Sequence, residues 1–157
     1  MDARTMIQEQ LAGSHQVVRR SLGEVSDDEA HRVLDDSLAP ITWQVGHLAW
    51  ADLYLLKAAG ASPSVTLPDS FVELFKTGTG GRAAYPPLET VQRTFDEAHS
   101  AVMKAAADLD PDSPRESSHG LWKNSGGVLL FLNNHRWYHV GKMTSLRAML
   151  GKPRVFG

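Results

Sequence analysis

Apolar residues recur at helical spacing in four long stretches of the chain, and strand-like alternation is almost absent. The first stretch covers residues 3–22, and Gly23 is a suitable stop. The second covers 40–60, with Pro40 suited to the first position of a helix. The third covers 88–109 and the fourth about 127–150. The pattern predicts four long helices.

The second predicted helix is apolar on nearly every side, which favours a position in the middle of the fold. The segment 61–87 has a looser pattern and predicts a long crossover, with one or two helical turns around residues 71–75. Ser26 and Glu29 have the spacing of a capping box, which predicts a short acidic helix or turn after the first helix.

Four long helices with one long connection between the second and the third predict an all-α fold, a four-helix bundle. A length of 157 residues suits one hydrophobic core, so we expect a single domain over residues 1–157. Hydrophobic residues make up 42% of the chain and charged residues 22%, which excludes a disordered or collagen-like chain.

Charge and cysteine content narrow the range of functions. The formal net charge is -2 and there is no basic block, which argues against binding to nucleic acid or to anionic membranes. The chain has no cysteine, so thiol chemistry would need an external thiol, and a metal site would use His, Asp or Glu. The amino-terminal residues do not resemble a signal peptide, and no apolar run is long enough to span a membrane. The expected location is the cytoplasm.

His135 and His139 are separated by four residues on the fourth predicted helix, so both imidazoles lie on one face and can chelate one cation. Such pairs also arise by chance. Here, however, the pair falls on the apolar stripe, where buried polar groups need partners. His47 lies between Trp43 and Trp50 on the second predicted helix, in an equally apolar setting.

If the two helices pack side by side, His47, His135 and His139 can converge. Three neutral imidazoles with open positions are typical of a catalytic metal site and suit zinc, nickel, cobalt or iron. For His47, the spacing is equally compatible with a core histidine that is hydrogen-bonded to a backbone carbonyl.

The remaining histidines are expected in structural positions. We expect His31 at the surface and His119 in the loop before the fourth helix. His15 and His99 lie on or beside apolar stripes, which favours packed or rim positions.

Arg136 and the aromatic residues near the histidines have two alternative roles each. Core filling is the expected role of most of the four aromatics Trp43, Trp50, Trp137 and Tyr138, and lining a pocket around a metal is the alternative. Arg136 is expected to be a solvated charge and not a clamp for an anion.

Two segments together resemble a known family. They read ITW at 41–43 with GHLAW at 46–50, and NHRWYHVGK at 134–142 with LR at 146–147 and LGKP at 150–153. Both resemble the DinB/YfiT-like superfamily of metalloenzymes. The resemblance implies a four-helix bundle with up-down-down-up topology. It also implies a divalent metal held by His47, His135 and His139.

The resemblance also implies a class of activity. Relatives include transferases and isomerases that use a low-molecular-weight thiol, so we expect metal-dependent transfer of such a thiol to a small electrophile, and a homodimer. The alternatives are a metal-dependent hydrolase at the same site, or a non-catalytic ligand-binding bundle or dimer module. The family often has Gln where this chain has Lys142. The ammonium group of Lys142 would either bind an anionic substrate group or extend to water. Catalytic residues other than the metal ligands are not assigned.

Overall fold

The computed structural model describes residues 1–156, which form six helices and contain no strand. The helices are α1 (Ala3–Ser21), α2 (Asp27–His31), α3 (Ile41–Ala58), α4 (Asp69–Phe75), α5 (Leu88–Asp108) and α6 (Ser125–Met149). The all-helical prediction is confirmed, and the four long helices agree with the predicted stretches to within about two residues at each end. Pro40 is the N-cap of α3 and not its first helical residue.

The two short helices also follow the sequence pattern. The Ser26 side chain accepts a hydrogen bond from the Glu29 N–H, and the Glu29 carboxylate accepts one from the Ser26 N–H. This reciprocal capping box begins α2, as predicted. α4 lies within the long crossover and buries Phe71 and Phe75 against the rest of the core.

α3 occupies the centre of the fold. Every residue from 41 to 49 is buried, because this helix packs against α5 and α6 and is also contacted by α2 and α4. α1 packs against the same two long helices, α5 and α6. The up-down-down-up order of the four long helices stays a prediction. No helix within residues 1–156 has the length and apolar character needed to cross a membrane.

Arg136 lies fully buried at the centre of the fold, so the prediction of a solvated charge was wrong. Its Nη2 donates to Oδ2 of Asp52 at 2.7 Å, and neither side chain is exposed. Nη1 also donates to the carbonyl of Leu11 at 3.0 Å and to Nδ1 of His99 at 3.3 Å. A buried charge is tolerated only when it is paired and hydrogen-bonded, and this guanidinium of α6 finds those partners on α1, α3 and α5.

His15 and His99 are packed between α1 and α5, as predicted. Their rings stack with centroids 3.8 Å apart. Nε2 of His15 lies 2.8 Å from Oδ1 of Asp96, which also pairs with Arg19 at the surface. The two histidines therefore connect the buried Arg136 to the surface of the protein.

Two of the aromatic residues on α6 face outward. Trp137 is 39% exposed and Tyr138 60% exposed, so neither fills the core, the role that was expected for most of the four aromatic residues. The buried side of α6 near these two residues consists of Leu132, Arg136 and Val140.

Replacing Arg136 with Met is expected to lower the free energy of unfolding by about 3–5 kcal/mol, because Asp52 would remain as a buried charge without its partner. Urea denaturation measures the loss. Arg93→Met is the matched control, since Arg93 is exposed on α5 and its loss should change stability by less than about 0.5 kcal/mol. Equal effects of the two substitutions would contradict the central role of Arg136.

Folding stability should fall as the pH drops below 6.5, in part because of His99. Burial, with the charges of Arg136 and His15, lowers the pKa of His99 from 6.5 to about 3. The unfolded chain therefore binds more protons than the folded chain throughout this window, and acid favours unfolding. His99→Gln removes this titration.

Between pH 7 and pH 5, the His99→Gln variant should lose about 1–2 kcal/mol less stability than the native protein. Urea denaturation at a series of pH values measures the difference. His119→Gln is the matched control, because it removes an exposed imidazole and leaves the core intact. If the stability of His99→Gln depends on pH as steeply as that of the native protein, His99 is not a source of the acid destabilisation.

Candidate metal centre

His47 of α3 and His135 and His139 of α6 meet in the core. One ring nitrogen from each lies within 4.8 Å of the others. His47 and His139 are buried and His135 is half-buried. The contact between α3 and α6 therefore brings together the three histidines that the sequence singled out, in a cluster that could hold a metal ion.

The tautomer of His47 follows from its hydrogen bond. Nδ1 lies 2.9 Å from the carbonyl oxygen of Phe75. A carbonyl only accepts, so Nδ1 carries the proton and Nε2 keeps a free lone pair. His47 therefore has the backbone hydrogen bond of a core histidine and still offers one nitrogen as a ligand.

The tautomer of His139 is fixed in the same way by Gln44. Nε2 of Gln44 donates to the carbonyl of Ala39 at 2.9 Å, which identifies Oε1 as the acceptor end of the amide. Oε1 lies 2.5 Å from Nδ1 of His139. His139 thus donates through Nδ1 and presents the lone pair of Nε2, the arrangement that metal-binding histidines usually have.

His135 completes the cluster but leaves a polar atom unsatisfied. Its Nε2 lies 3.1 Å from Nε2 of His139. Its Nδ1 is buried and has no hydrogen-bond partner within residues 1–156. Nδ1 has no partner in either tautomer. A proton on Nε2 can be donated to Nε2 of His139, whereas a proton on Nδ1 leaves the lone pairs of the two Nε2 atoms facing each other. The second arrangement becomes favourable with a cation between the Nε2 atoms, so the residues fit a divalent metal.

The surroundings keep these imidazoles neutral. Burial lowers the pKa of His135 to about 4 and that of His139 to about 2, and the charges of neighbouring histidines and Lys142 add to both effects. Burial also lowers the pKa of His47. At neutral pH all three rings are therefore in the form that binds metals.

A cleft of about 520 Å³ reaches the cluster at His47 and His135. Its aromatic lining consists of Trp50 and Tyr54 from α3, Trp122 from the loop before α6, and Phe131 from α6. Its volume is within the usual range for small-molecule sites. Trp50 and His119 therefore line a pocket next to the candidate centre, whereas Trp43 stacks on the His47 ring at 4.5 Å.

Two further predicted residues lie outside this cleft. His31 is half-buried, with Nε2 3.0 Å from the carbonyl of Pro86, and so is not a fully exposed surface residue. Lys142 is also half-buried, and its Nζ lies 4.4 Å from the centre of the Tyr138 ring. Lys142 lines a separate cleft beside Trp43.

Sequence reasoning missed Gln44, Phe75 and Gly46. Gln44 precedes His47 by three residues, so its place on the same helix face was an available signal. Phe75 contributes a backbone carbonyl from α4, which no side-chain pattern reveals. A Cβ at Gly46 would lie 2.3 Å from the Phe75 ring, so glycine is needed for α4 to approach α3.

Comparison with known proteins identifies one family. A family model described as DinB superfamily matches residues 10–143, a range that includes all three histidines and most of the chain. No curated protein matches the sequence.

Gly46→Ala should destabilise the protein by about 1–3 kcal/mol, because the added methyl group must displace the buried Phe75 ring. Gly13→Ala on α1 is the matched control, since no heavy atom that would obstruct its Cβ lies within 4 Å. That change should stabilise the helix by up to about 1 kcal/mol. Urea denaturation of both variants measures the difference in their free energies of unfolding. Equal stability of the two variants would show that the Phe75 ring does not lie against Gly46.

Proposed function

The chain belongs to the DinB superfamily, and on this premise we propose that it is a divalent-metal-dependent enzyme. The proposed reaction is transfer of a low-molecular-weight thiol to a small electrophile. His47, His135 and His139 are the proposed metal ligands. The observation that carries the proposal is the convergence of one nitrogen from each ring within 4.8 Å, with two of the three tautomers set by hydrogen bonds.

The donor set supports a catalytic type of centre. Three imidazoles leave coordination positions for a substrate, unlike the four protein ligands of a structural zinc site. A divalent metal bound there would supply Lewis acidity and lower the pKa of a coordinated thiol. The chain has no cysteine, so the sulfur must come from a cosubstrate.

The chain's own residues have three tasks in this proposal. Phe75 and Gln44 hold the His47 and His139 rings in the tautomers that present Nε2. Burial keeps the rings neutral. The cleft beside His47 and His135 provides room for a small molecule next to the centre.

The proposal extends to the arrangement of the chain. We propose that residues 1–157 form one domain, and that its four long helices form a bundle with up-down-down-up order. We also propose that two copies of the chain form a homodimer. The single domain rests on the length of the chain, and the helix order and the homodimer rest on the resemblance to the family.

Elemental analysis of the purified protein tests the metal site. We expect about one zinc, nickel or iron ion per chain, and loss of most of it in His135→Ala, which removes one of three ligands. His119→Ala is the matched control, because His119 is an exposed histidine at the rim of the same cleft. A native protein that contains no metal and takes up neither added zinc nor added nickel would refute the site.

Turnover separates the reaction classes. The metal-loaded protein is incubated with a panel of low-molecular-weight thiols and an activated aryl halide, and loss of free thiol is followed over time. Metal-dependent thiol consumption that is lost in His135→Ala supports transfer. Hydrolysis of activated esters without thiol consumption would favour a hydrolase instead, and metal binding without either activity would favour a ligand-binding protein.

A further inference from the structure

We propose that the cleft beside the three histidines selects substrates through an uncharged, planar aromatic group. This inference rests on the proposed function and names the class of electrophile that the site takes. It is carried by two features of the cleft, the aromatic side chains that line it and its lack of cationic side chains.

Two aromatic pairs line the cleft. Trp50 and Tyr54 on α3 stack with ring centroids 5.4 Å apart and planes inclined by 19°. Trp122 and Phe131 form a tilted pair with centroids 5.2 Å apart. Tyr54 is 61% exposed, so a large part of this aromatic surface faces solvent. A planar ring bound there would remove apolar area from water on both partners and stack favourably.

The charge of the cleft disfavours anions. Among its lining residues, all within residues 1–156, Glu116 is the only one with a permanent charge. Lysine and arginine side chains line neighbouring clefts instead: Lys142 and Arg82 beside Trp43, and Arg115 and Lys123 beside Trp122. Away from the three histidines and the metal proposed there, an anionic group in the aromatic cleft would therefore meet a carboxylate and no lysine or arginine among the lining side chains.

Two fluorescent probes with the same ring system test both features. N-phenyl-1-naphthylamine is uncharged, and 8-anilino-1-naphthalenesulfonate adds one sulfonate to the same rings. Fluorescence titration of the purified protein should give saturable binding of the neutral probe and at least about tenfold weaker binding of the sulfonate. Glu116→Gln should tighten binding of the sulfonate and leave the neutral probe unchanged.

Variants on each part of the lining locate the binding site. Tyr54→Ala and Phe131→Ala should each weaken binding of the neutral probe about five- to tenfold, through lost stacking. Tyr54 is exposed, so its replacement leaves the core intact. Trp137→Ala is the matched control, because Trp137 is an exposed aromatic residue of α6 outside the cleft and its loss should not change probe binding.

Metal content is measured on the same samples, so the two proposals can fail separately. Metal-loaded protein that binds the sulfonate as tightly as the neutral probe, or that binds the neutral probe equally in Tyr54→Ala, Phe131→Ala and Trp137→Ala, overturns the aromatic selection alone. Selective binding of the neutral probe by a protein that takes up no metal supports the cleft's preference and overturns the metal-dependent enzyme.

Discussion

The guanidinium of Arg136 joins all four long helices in the core. It lies on α6, pairs with Asp52 of α3, and donates hydrogen bonds to Leu11 of α1 and His99 of α5. A buried pair of this kind adds little net stability over well-packed apolar residues, but other packings would leave a charge unpaired. The pair therefore fixes how α3 and α6 lie against each other, and these two helices carry the three histidines.

The ion pair and the candidate metal centre are adjacent and chemically distinct. His135 and Arg136 are consecutive, and consecutive side chains of a helix point about 100° apart. Arg136 consequently faces Asp52 while His135 faces the cleft. The positive charge of Arg136 is one of the causes that lower the pKa of His135. The buried charge that sets the helix packing thus helps to keep a proposed ligand neutral.

Several features of the site were predictable because they depend on local spacing. The separation of His135 from His139 puts both on one helix face, and the apolar surroundings of His47 indicate burial. Arg136 was misassigned because arginine is usually exposed to solvent, and its partner Asp52 lies 84 residues earlier in the chain. Trp137 and Tyr138 were misassigned because aromatic residues usually fill cores, whereas the buried face of α6 leaves both outside.

The sequence alone determined the helical class, the approximate ends of the four long helices and the helix face that His135 and His139 share, since periodicity, capping and helical spacing are properties of nearby residues. The approach of His47 to that pair depends on the packing of α3 against α6. Only the tertiary structure decided which nitrogen of His47 and of His139 is free, how Arg136 is satisfied and which side chains line the cleft. The tautomers depend on Gln44 and on the Phe75 carbonyl, and both reach the histidines through contacts between different helices. Such contacts are set by how the helices pack, and the spacing of residues within one helix does not encode them.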